Sequence, residues 1–148
     1  MKNLILSAVV MLSLVFNASA TTEPVNQKVL STFHQVFKDA HRVSWSHTGS
    51  YYEAFFEVES VKTRAMLNKR GALIQTIRYY KENELPSNVL YSVKKDFTGN
   101  EIVGITEISN KYGINYRIVL RDSKYYTHIN ADNAGETEVV AKYKRGDK

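Results

Sequence analysis

Val29-Leu30-Ser31-Thr32-Phe33-His34-Gln35-Val36-Phe37 is answered, 60 residues on, by Val89-Leu90-Tyr91-Ser92-Val93-Lys94-Lys95-Asp96-Phe97. In the first stretch Val29, Leu30, Phe33, Val36 and Phe37 fall at i, i+1, i+4, i+7 and i+8, which is one face of a helix. Lys28, Ser31, His34 and Gln35 take the wet side. Val89, Leu90, Val93 and Phe97 keep the same spacing, so a second helix with the same buried stripe is expected. Pro24 and Asn26 are start signals for the first helix, which should stop near Asp39. Pro86 does the same for the second, because a first-turn N–H has no helical partner to lose.

Between and after these helices the apolar period shortens to two, the signature of strands. Arg42–His47 and Tyr51–Val58 alternate on either side of a turn at Thr48-Gly49-Ser50. Strands around Lys62–Leu67 and Leu73–Tyr79 flank Asn68-Lys69-Arg70-Gly71, a hairpin signal ending in glycine. After the connector Glu82-Asn83-Glu84-Leu85 the order returns: Glu101–Ile108, Gly113–Leu120, Lys124–Asn130 and Thr137–Tyr143. Asn130-Ala131-Asp132-Asn133-Ala134-Gly135 takes the place of Asn68–Gly71. The pattern predicts an α+β fold built as a tandem repeat, about 24–81 and 84–143, each a helix plus an antiparallel strand meander. Two copies are too few for a solenoid, so the halves should share one sheet or form two packed sheets.

The 148-residue chain opens with Lys2, an apolar run from Leu4 to Phe16 and the small-residue site Ala18-Ser19-Ala20. That run is too short to cross a bilayer core of about 30 Å. Residues 1–20 are therefore read as a cleavable signal peptide. The product should begin at Thr21, carry no membrane anchor and work in the periplasm or outside the cell. Of the net charge of +5, Lys2 contributes one. The remaining excess is densest at Lys142–Lys148, read as a solvated chain end, and export argues against nucleic acid as a partner. The chain has no cysteine, which rules out thiol catalysis, thiolate metal sites and disulfides. The core alone must hold the domain together.

Phe33, Phe37, Val43 and Trp45, then Tyr52-Glu53-Ala54-Phe55-Phe56-Glu57-Val58, Gly71, and Leu85-Pro86 with Val89, Val93 and Phe97 follow one another in a telling order. Over nearly the whole mature chain this order resembles the PepSY-like, beta-lactamase-inhibitor-protein-like family of small exported bacterial domains. The resemblance implies helices packed on one face of an antiparallel sheet, with the other face partly open and available to grip a protein. The disulfides of the named inhibitor are missing here.

No catalytic motif stands out. His34, His41, His47 and His128 lack the spacing of a metal site, and no metal or other cofactor is implied. Glu53 and Glu57 share a strand face but read as solvated acids rather than an acid and base pair. Gly-x-Ser-x-Gly and phosphate-cradling glycine loops are missing. Tyrosine is the unusual quantity: ten residues, with doublets at Tyr51-Tyr52, Tyr79-Tyr80 and Tyr125-Tyr126. Adjacent strand residues point to opposite faces, so each doublet sends one ring in and one out. If Tyr52, Ala54, Phe56 and Val58 face the helices, Tyr51, Glu53, Phe55 and Glu57 face away. By the same parity Tyr116, Ile118 and Leu120 point in, and Arg117, Tyr126 and His128 point out. Trp45 is assigned to the core, with Val43 on its face.

The expectation is a non-enzymatic exported module that recognises an envelope or extracellular protein or peptide through its open sheet face. Tyr51, Phe55 and Tyr126 are its candidate contacts, in a single patch flanked by Arg117 and the two acids. The alternative is a small-ligand or envelope-stress binding protein with a pocket between sheet and helices, and a hydrolase of unrecognised type is a third.

Overall fold

Ten-residue helices are marginal in water by themselves, so each helix of this chain depends on what it lies against. The computed structural model describes residues 24–146, and the expected signal peptide lies outside them. Helix α1 spans Gln27–Val36 and starts at Asn26, whose side chain accepts the Lys28 N–H at 2.8 Å. That bond satisfies one of the donors orphaned at a helix start. Helix α2 spans Ser87–Asp96, with Pro86 one residue ahead of it. Val29 and Phe33 of α1 and Val89 and Val93 of α2 are almost fully buried.

Eight strands follow the chain in order across one antiparallel sheet: β1 (His41–Thr48), β2 (Tyr51–Val58), β3 (Val61–Asn68), β4 (Leu73–Tyr80), β5 (Glu101–Asn110), β6 (Gly113–Arg121), β7 (Tyr125–Asp132) and β8 (Thr137–Lys144). The segment between β4 and β5, a 3-10 turn at Glu82–Glu84 followed by α2, leaves these two strands directly paired. Of the two arrangements open to the sequence, the chain adopts the single shared sheet. It is an open α+β sheet with both helices on one side.

The core has two parts. Under α1, Phe33 meets Trp45 and Phe56 with ring centroids 5.0 Å apart in both pairs, and Ala54, Ala65 and Leu67 close the cluster. Under α2, Val89 and Val93 lie with Ile105, Tyr116, Ile118 and Ile129. Tyr52, Ala54, Phe56, Tyr116, Ile118 and Leu120 are buried, as strand parity requires. Phe37 and Phe97 are half-buried at the rims of the clusters.

Parity fails at Val43. The β1–β2 register slips between His41 and Ser44, and Arg42 takes a left-handed φ of 55°. Such a bulge adds one residue and re-aims its neighbours. Val43 is consequently 38% exposed and does not join Trp45 in the core.

The loops Asn68–Ala72 and Asp132–Glu136 are built alike. The Asn68 side chain accepts the N–H groups of Arg70 and Ala72, and the Asp132 side chain accepts those of Ala134 and Glu136. Gly71, at φ 84°, sits against the Lys28 carbonyl and Thr32, and Gly135, at φ 92°, against Asn88 and Ser92. Each glycine thus lets its loop touch the backbone of its own helix.

The open sheet face as candidate binding surface

Side chains paired across neighbouring strands share a face, so the strand register defines the surface opposite the helices. One row there runs Glu57, Lys62, Tyr79, Thr106, Arg117, Asn130 on successive strands from β2 to β7. Phe55, Arg64, Ile77 and Ile108 form the next row.

In the first half of the sheet these side chains are knitted together. Arg64 lies over the Phe55 ring with its guanidinium carbon 5.1 Å from the centroid, donates to Glu53 at 2.5 Å and reaches the Tyr79 hydroxyl at 3.4 Å. The Tyr79 bond, with help from Glu53, holds the Arg64 guanidinium even more firmly charged than usual. Glu57 pairs with Arg42 at 3.1 Å. Glu53 and Glu57 therefore each answer a neighbouring arginine.

Three depressions open along this surface. The first, about 260 Å³, lies among Phe55, Glu57, Lys62, Arg64 and Tyr79. A second, about 580 Å³, forms where β4 leaves the sheet, and its walls include Lys62, Tyr79, Gly104, Thr106 and Val119. The third, about 390 Å³, continues past Thr106, Arg117, Val119, His128 and Val140. Lys62 and Tyr79 border the first two and Thr106 and Val119 the last two, so a broken trough crosses the strands from β2 to β8.

Tyr51, Phe55 and Tyr126 all sit on this face. Tyr51, 45% exposed, begins β2, and Phe55 is half-buried beneath Arg64. Tyr126 is half-buried on β7 with the Arg145 guanidinium 5.7 Å from its ring centroid. The single patch expected of the three does not form. Five strand spacings separate β2 from β7 in the sheet order, about 24 Å at about 4.8 Å each. Sequence parity gives the face of a residue but not the distance between strands.

Sequence reasoning missed Lys62, Arg64, Tyr79 and Gly104. Parity within β3 and β4 was signal enough for the first three, and an isolated glycine inside a strand was the signal for Gly104. Ser92 and Lys95 have the Ser-x-x-Lys spacing, but the Ser92 hydroxyl packs where α2 meets Gly135, in a structural contact. Among the described residues no group of three or more metal-ligating side chains comes together.

The helix side offers different chemistry. Beside the core cluster under α2, to which Tyr80 itself belongs, Tyr80, Arg78 and Glu107 form a polar bridge across β4 and β5, with Tyr80 donating to Glu107 at 2.6 Å and Arg78 at 3.3 Å. Burial above all raises the Tyr80 phenol pKa, and the bond to Glu107 adds to it.

No protein-family model matches the chain, and no curated protein matches it. Solved structures do. A BLIP-like protein of Bacteroides fragilis superposes with a TM-score of 0.64 at 14% identity, over 84% of this chain and 90% of that one. A DUF2874 family protein of Bacteroides uniformis gives 0.61 at 17% identity, over 80% and 88%. A protein of Bacteroides eggerthii, provisionally described as periplasmic, gives 0.62 at 16% identity, over 81% and 88%. At these identities the likeness is one of fold: the chain has the fold of BLIP-like and DUF2874 proteins.

Proposed function

We propose that this protein is an exported, non-enzymatic binding module that holds a protein segment on the sheet face opposite its helices. The observation that carries the reading is the trough from β2 to β8, bordered by Phe55, Tyr79 and Val119. Aromatic and apolar centres with polar rims are what protein contacts are made of. The space beneath the helices, by contrast, is occupied by packed side chains, which argues against a ligand pocket there. Export rests on the apolar run and Ala18-Ser19-Ala20 site, with the periplasmic description of one structural neighbour in support. An inhibitor-like role has the BLIP-like neighbour in its support, while the PepSY-like part of the reading rests on the order of residues from Phe33 to Phe97 alone. The matching Gly71 and Gly135 loops support descent of the two halves from one duplicated unit.

Photo-crosslinking in the native envelope tests this. A crosslinkable residue at Asn115, on the open face, should give protein adducts, and one at the exposed Lys95 of α2 should not. Adducts from Lys95 alone would reject the sheet face as the binding surface.

A further inference from the structure

Most arginines of the open face are already answered: Arg64 by Glu53, Arg42 by Glu57 and Arg121 by Glu101. Lys62 and Arg117 are not. Both are exposed, and neither has a hydrogen-bond or ion-pair partner among the described residues. They stand in one row with Tyr79 and Thr106 between them, three strand spacings or about 14 Å apart. Beside Thr106 lies Gly104, and a Cβ built on it meets no atom within 4 Å. Tyr79 and Val119 line this gap together with Glu59 and Glu84, whose charges disfavour a further acid inside it.

We propose that the centre of the trough selects an acidic extended segment, with one carboxylate at Lys62, one at Arg117 and an uncharged apolar side chain over Gly104. The inference rests on the sheet face being the binding surface. An extended chain advances about 3.3–3.6 Å per residue, so about 14 Å separates residues i and i+4. Residues i, i+2 and i+4 of a strand project to the same side. The spacing therefore reads as acid, any residue, apolar, any residue, acid. Two unanswered cations favour such a segment and repel a basic one, which is how charge gives specificity at a surface.

The test uses three fluorescein-labelled peptides of about 12 residues. They share a Thr-Trp-Thr centre and Gly-Ser flanks and differ only in the two residues beside the centre: both Asp, both Asn or both Lys. The Asp peptide should bind about tenfold more tightly than the Asn peptide, equivalent to about 1.4 kcal/mol, and the Lys peptide more weakly still. Amide NMR signals of Lys62, Tyr79, Gly104, Thr106 and Arg117 should move with the Asp peptide. Gly104→Phe should fill the gap and abolish the tight binding. Lys62→Glu combined with Arg117→Glu should invert the order of the three peptides, with an unchanged thermal melt showing that the fold is intact. Equal binding of the Asp and Asn peptides on this face would overturn the acid selectivity and leave the surface assignment standing. Peptide-induced shifts confined to the helix side, or none from any peptide, would overturn both.

Discussion

The Tyr80 hydroxyl donates to Glu107 Oε2 at 2.6 Å, joining the last strand before α2 to the first strand after it on the helix side of the sheet. Tyr80 belongs to the core cluster under α2, and Arg78 completes the bridge to Glu107 at 3.3 Å. A hydrogen bond to a charged group contributes about 1.5–3 kcal/mol, so Tyr80→Phe should cost an amount in that range. Burial first and this bond second raise the Tyr80 pKa from its ordinary 10.0, and burial also raises that of Tyr116. With folded values above the unfolded ones, their stabilisation is complete below about pH 10 and is lost as pH rises beyond it. Urea unfolding from neutral to alkaline pH should show stability falling above about pH 10, less steeply in Tyr80→Phe. An identical slope in the variant would assign the alkaline loss to other groups.

Gly71 and Gly135 occupy equivalent loops, yet alanine should not cost the same at the two positions. At φ 84° and 92° each alanine carries the left-handed penalty of about 1–2 kcal/mol. At Gly71 the new Cβ would stand 2.7 Å from the Lys28 carbonyl oxygen, part of a helix backbone that cannot step aside cheaply. At Gly135 the nearest atom, also at 2.7 Å, is the Ser92 Oγ, which a change of rotamer removes. Chemical denaturation should therefore find Gly71→Ala clearly more damaging than Gly135→Ala. Equal losses would mean that α1 shifts away from its loop as easily as a hydroxyl turns.

Much of this architecture was legible in the residues. The stripes headed by Val29 and Val89 marked both helices, and the alternation at Tyr51–Val58 assigned each side chain to its face. Legibility ended where the third dimension entered. Nothing in the local pattern told whether β4 would pair with β5 or begin a second sheet, because that pairing spans the whole of α2. Val43 was misplaced because a bulge depends on the partner strand. Phe55 and Tyr126 were joined in one patch because parity carries no lateral distance. Gly104 was overlooked because its role is the space it leaves.

The β2–β3 turn places Glu59 and Ser60 at φ 49° and 69°. Two-residue hairpins with both central residues left-handed favour Asn-Gly, and this one has neither. Glycine at position 60 relieves about 1–2 kcal/mol of left-handed strain and costs about 0.5–1 kcal/mol in chain entropy. Ser60→Gly should thus gain about 0.5–1 kcal/mol, visible as a rise in the denaturation midpoint. A drop would show that the Ser60 side chain stabilises the turn by more than its backbone strain costs.

The separation of Phe55 from Tyr126 turns contact residues into a ruler. Truncating either ring should weaken a ligand that reaches it by about 1–2 kcal/mol, and thermal melts check that loosening Arg64 above Phe55 leaves the fold unaltered. The rings stand five strand spacings or about 24 Å apart across the sheet and six residues or about 20 Å apart along the strands, about 31 Å in all, so an extended ligand needs about ten residues to touch both. Sites so far apart with no shared partner should act additively. With the two-aspartate peptide trimmed to about six residues, at most one of Phe55→Ala and Tyr126→Ala should matter. Lengthened to about 14 residues, it should respond to both, with the double variant losing the sum. Binding by fluorescence anisotropy decides the matter. A six-residue ligand weakened by both substitutions would show that the two rings meet one contact, contrary to their places on β2 and β7.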